Sequence, residues 1–95
     1  MVKHIVFFQL PNASDAQKEA LKERIMSLKG KIDVLVHIEV GINFSPEERA
    51  FDLALVSDFK SKEDLYTYAI HPLHLEVVAF IKSLNAVSKV VDYEY

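Results

Sequence analysis

Along residues 2–10 a two-residue period sets His4, Val6, Phe8 and Leu10 on one face and Ile5 and Phe7 on the other. A two-residue period predicts a strand, and apolar side chains on both faces predict a central one. Pro11-Asn12-Ala13 breaks it. Ser14 and Gln17 then have the spacing of a capping box, and Leu21, Ile25 and Leu28 follow at i, i+4 and i+7. Lys18, Glu19, Lys22, Glu23 and Arg24 fill the outer face of this predicted helix, and Gly30 is a suitable left-handed terminator. Alternation returns from about Asp33 to Asn43, with Val34, Val36, Ile38, Val40 and Ile42 on one face and Leu35, His37 and Glu39 on the other. After a polar turn at 44–49, a third strand near Ala50 to Phe59 sets Phe51, Leu53, Leu55 and Phe59 against Asp52, Ala54, Val56 and Asp58. Ser61 caps a short helix carrying Leu65, Tyr66 and Tyr68. His71-Pro72 interrupts it, and Leu73, Val77, Phe80, Ile81 and Leu84 form the stripe of a further helical piece. Val87 to Tyr95 closes the pattern as a strand.

The resulting order, β-α-β-β-α-β, is the split βαβ arrangement of α+β ferredoxin-like domains, with a four-stranded antiparallel sheet. Helices cover one face of such a sheet. The other would leave Ile5, Phe7 and their neighbours in water, an apolar patch larger than a lone soluble domain usually exposes. Pairing two such faces in a symmetric homodimer removes it.

Ninety-five residues, 51% hydrophobic and 26% charged, suit one domain with a modest core covering 1–95. A net charge of -3 without a basic block speaks against a nucleic-acid surface. The absence of cysteine excludes disulfide and thiolate chemistry and fits a cytoplasmic setting. The first residues carry neither a long apolar run nor a small-residue cleavage site, so neither a signal peptide nor a membrane span is expected.

Candidate chemistry gathers at Tyr68-Ala69-Ile70-His71-Pro72-Leu73-His74. Proline lacks an amide hydrogen and has a helical φ, so Pro72 suits the first position of a helix and His71 the N-cap. His74 then lies in the first turn, where free amides and the positive dipole end disfavour imidazolium. A neutral imidazole can serve as base or ligand. A metal reading of His71 and His74 is the weaker one, because a ligand pair on one helix face sits at i and i+4. No motif for a haem, flavin or other cofactor is present. The plain alternative is local structure: a capping histidine, a first-turn histidine bonded to backbone, a packed Tyr68, and a buried His4 partnered by Asp92.

As a set, Met1-Val2-Lys3-His4-Ile5-Val6, Ser45-Pro46-Glu47-Glu48-Arg49, Phe51-Asp52-Leu53-Ala54-Leu55-Val56, Phe59-Lys60-Ser61-Lys62-Glu63-Asp64-Leu65, the segment 68–74 and Val90-Val91-Asp92-Tyr93-Glu94 resemble the stress-responsive A/B barrel (Dabb) family. The resemblance spans essentially the whole chain and implies a protomer that dimerises into an α+β barrel. One type within that family, the plant polyketide cyclase that makes olivetolic acid, uses a histidine and a tyrosine in a pocket between helices and sheet. On the matching motif these fall on His74 and Tyr68, and His4 and Asp92 match further polar pocket positions. The resemblance thus implies His74 as a base and Tyr68 as an oxyanion partner, acting without a cofactor on a small apolar or carbonyl-containing molecule. Leu21, Ile25, Val77 and Ile81 are the expected pocket walls, although the same four residues would equally suit a filled core. A stress-associated homodimer that binds such a molecule without turnover is the first reading, and the cofactor-free enzyme is the alternative.

Overall fold

The strand predicted to be central is hydrogen-bonded on both sides. The computed structural model describes residues 1–95, and in it β1 (Val2–Gln9) pairs antiparallel with β3 (Leu53–Phe59) and with β4 (Val87–Glu94). β2 (His37–Ile42) pairs antiparallel with β3, giving the sheet order β2-β3-β1-β4. Three helices complete the chain: α1 (Asp15–Met26), α2 (Lys62–Ala69) and α3 (Pro72–Ser83). The architecture is ferredoxin-like, its second helical segment broken in two. No helix is long and apolar enough to cross a membrane.

Each helix starts where its sequence says it should. Ser14 accepts from the Gln17 amide while the Gln17 side chain accepts from the Ser14 amide, a complete capping box. Ser61 caps α2 through the Asp64 amide, and Pro72 occupies the first turn of α3 behind an N-cap at His71. Val2, Val6, Phe8, Leu21, Ile25, Leu53, Leu55, Phe59, Tyr68 and Val77 meet in one buried core between the helices and a single face of the sheet. Ser57, fully buried beneath them, donates its hydroxyl hydrogen to the His4 carbonyl.

Three expectations change. The second strand begins at His37 rather than Asp33, because residues 27–34 form successive turns; the Leu35 amide bonds back to Ile32, and Ile32 fills the core in place of Val36, which is exposed. Gly30 does take a left-handed φ of 77°, but α1 has already ended at Met26 with Ser27 as its C-cap. Finally, Phe51 lies beside Phe7, with ring centroids 6.3 Å apart, and not on the core face with Leu53. It precedes the regular ladder: the Asp52 carboxylate accepts from the Leu10 amide, and the pleat sets side-chain direction only from Leu53 onward.

The uncovered sheet face presents Phe7, Val87, Val91 and Tyr93, each at least 44% exposed. A shallow hollow at one end of this face is lined by Phe7, Phe51 and Ile42 and bordered by Phe44, whose side chain is 99% exposed. At the other end the Tyr95 hydroxyl donates to the buried Asp58 carboxylate, which Lys3 also approaches at 3.4 Å.

Candidate functional site

The break between α2 and α3 creates the site. Pro72 offers no amide hydrogen to the preceding turn, and the Leu73 amide is diverted to Nδ1 of His71 at 3.1 Å. The Ala69 carbonyl, which would accept from residue 73 in a continuous helix, instead accepts from Nδ1 of His74 at 2.9 Å. A carbonyl oxygen can only accept, so the His74 proton resides on Nδ1 and the lone pair on Nε2. Burial lowers the pKa of His74 below its ordinary value; the hydrogen bond to the Ala69 carbonyl opposes this, and the neighbouring His4 and His71 add smaller lowering effects. The direction expected from the helix terminus holds, but desolvation is the main cause.

Tyr68, on the last turns of α2, is 1% exposed and lies against both Phe59 and His74, with centroids 5.0 and 4.3 Å away. Its burial pushes the phenol pKa up to about 12, so it stays protonated and able to donate. No side-chain or backbone group of the chain bonds its hydroxyl, yet no fully buried side-chain polar atom is left without a partner. The hydroxyl therefore keeps a small accessible surface, and Tyr68 lines the adjoining open space.

That space is a cavity of about 300 Å³ between α1, α3 and the sheet. His4, Tyr68 and His74 form one end, and Val6, Phe8, Ile25, Leu55, Val77, Val78 and Ile81 form its apolar walls. His4 reaches it from β1. It stands directly opposite Asp92 in the β1/β4 ladder, and its Nδ1 lies 2.5 Å from the Asp92 carboxylate. That bond leaves Nε2 free to turn toward the cavity, a carboxylate-oriented imidazole. The His4 and Tyr68 rings meet edge-on at 6.4 Å.

The structure thus brings His4, Tyr68 and His74 together, with Asp92 reaching the cavity only through His4. Ile25, Val77 and Ile81 are walls as expected; Leu21 is fully buried in the core and is not one. His71 serves the cap and His37 lies exposed on β2, so neither lines the cavity. The remaining lining groups, Lys82, Ala86 and Ser88, escaped sequence reasoning. Lys82 reads as an ordinary cation in the last turn of a helix and Ser88 as a polar residue on an edge strand. Only the register, which sets Ser88 opposite Phe8, shows that it faces the helices.

Residues 2–95 match the family model of the stress responsive A/B barrel domain. A stress-response A/B barrel domain-containing protein of Arabidopsis thaliana is 32% identical over 79 residues, covering 82% of this chain and 30% of that protein. The chain spans less than a third of that relative's length. Among solved structures it is similar to a dimeric protein of ferredoxin-like fold from Bacteroides fragilis, at 36% identity and a TM-score of 0.85, with 99% of this chain and 95% of that one covered. It is also similar to a hydroxynitrile lyase from Passiflora edulis, at 26% identity and a TM-score of 0.80, over 97% and 90% of the two chains. The chain belongs to the stress-responsive A/B barrel domain family.

Proposed function

We propose that the protein binds a small, largely apolar carbonyl compound in the cavity between helices and sheet and moves a proton α to the carbonyl without a cofactor. One observation carries this reading: His74, its Nδ1 committed to the Ala69 carbonyl, and Tyr68 pack ring against ring and both line one apolar cavity. His74 removes the α proton as its C–H bond breaks, and Tyr68 donates to the oxygen as the enolate charge develops there. His4, oriented by Asp92, offers a second polar contact at the same end. The similarity to a hydroxynitrile lyase supports the view that this framework can host chemistry on a small molecule.

The test is exchange of the α protons of 2-nonanone in D₂O, followed by NMR. The protein accelerates exchange over buffer, and Tyr68→Phe, which keeps the ring and its packing, reduces the acceleration about a hundredfold. Ketone-induced shifts of the cavity methyl resonances without exchange would reduce the function to binding. No shifts at all would remove the pocket reading.

The working unit in this proposal is a homodimer closed through the uncovered sheet face, supported by the exposed Phe7, Val91 and Tyr93 and by the dimeric Bacteroides fragilis neighbour. Phe7→Glu should place a charge at the centre of that interface. Sedimentation should then give 10.9 kDa in place of twice that mass. A wild-type monomer at micromolar concentration would contradict the assembly.

A further inference from the structure

The cavity has two chemically different ends, and only one is used by the proton chemistry proposed above. α3 runs along its length: His74 stands in the first turn and Lys82 in the last. Eight helical steps separate them, about 12 Å at 1.5 Å per residue. The sheet repeats the same polarity, because His4 and Asp92 pair at one end while Phe8 and Ser88 pair at the other. Apolar side chains of Val6, Ile25, Val77, Val78 and Ile81 lie between.

At the far end Lys82 is the one lining residue that carries a formal charge when the two histidines are neutral. It forms no ion pair, and of the six lysines without a carboxylate within 4 Å it is the one that lines the cavity. No acidic side chain lines the cavity to compete for it. Ser88 adds a hydroxyl at the same end that bonds to nothing else in the chain.

We propose that Lys82 is an anion anchor, so that the cavity selects an oxo acid: a carboxylate held at Lys82 and Ser88, an apolar body, and a carbonyl delivered to Tyr68 and His74. The inference deepens the carbonyl reading and rests on it for the role of the far carbonyl. Charge pairing at Lys82 also fixes the direction of binding, since the reversed ligand would bury its carboxylate beside the Tyr68–His74 pair with no cation nearby. Lys82 acts here as a specificity-determining residue and takes no part in proton transfer.

The test compares two ligands identical but for one terminal group, 8-oxononanoate and 2-nonanone, on wild-type protein and on Lys82→Met. Dissociation constants come from NMR titration of the cavity methyl groups. The substitution should weaken the oxo acid about fivefold and leave the ketone unchanged, and the fivefold difference should shrink in 0.5 M salt, as expected for a partly exposed ion pair. Equal changes for both ligands, or none for either, would overturn the anchor. A selective loss without α-proton exchange in the wild type would keep the anchor and overturn the acid–base reading. If neither ligand binds the wild type, both fall together. Because Lys82 is exposed and methionine is a good helix former, the variant should fold, and an unchanged circular-dichroism melt confirms it.

Discussion

His74→Ala lowers the α-proton exchange rate by between about 10²- and 10⁴-fold, the range associated with losing a positioned general base. Ketone affinity should change far less, because the walls that hold the apolar body remain. The wild-type pH profile supplies a second signature. Neutral His74 is the active form and burial holds its pKa below 6.5, so the rate falls only as pH drops through that lowered value. The upper limb, set by a Tyr68 pKa of about 12, lies beyond the working range. Stability follows the same direction. The unfolded chain takes up the His74 proton first, so this residue's contribution is complete above 6.5 and is lost as pH falls through the folded value. A rate that already falls at pH above 6.5, or His74→Ala protein that retains full exchange activity, would remove His74 as the base.

Phe59→Ala destabilises the fold by about 3–5 kcal/mol, a large part of the roughly 5–15 kcal/mol that holds a small domain together. Phe59 has no exposed surface and sits at the end of β3 against the Tyr68 ring. Its removal opens a void that the sheet, hydrogen-bonded along Val2↔Phe59, has little freedom to close. Urea denaturation at constant protein concentration measures the loss as a shift in midpoint. Whatever folded fraction survives should also show a loosened Tyr68, and so weaker exchange catalysis. A loss below about 1 kcal/mol would mean that this part of the core repacks easily.

Much of the fold was legible because local chemistry and global pattern agree. Ser14 with Gln17, Ser61, and His71 with Pro72 each mark a helix start that the structure reproduces. The parity of β1 placed His4 on the helix side and Phe7 on the bare side. Parity misled ahead of the regular ladder: Val34 and Val36 alternate as strand residues do, yet Val34 lies in the turns and Val36 in the irregular step before His37. Phe51 likewise stands one step outside the region in which the pleat sets direction. The cavity was the least legible feature. Apolar residues at helical spacing describe a wall and a filled core equally well, and Leu21 went to the core while Ile25 went to the wall. That division depends on how three helices settle on one sheet face, and no single segment encodes it. Lys82 was hidden for the same reason.

The bond that sets the tautomer of His74 ends on a main-chain oxygen, that of Ala69. Every amino acid carries that oxygen, so position 69, exposed on its other side, is free to drift without disturbing the base. What such a lineage cannot lightly give up is the helix break that leaves the carbonyl unclaimed. A change at Pro72 that let α2 and α3 fuse would return the oxygen to residue 73 and silence a histidine that had not itself mutated. In this framework, then, the walls of the cavity can diversify toward new ligands while a backbone interruption carries the reactive group from one variant to the next.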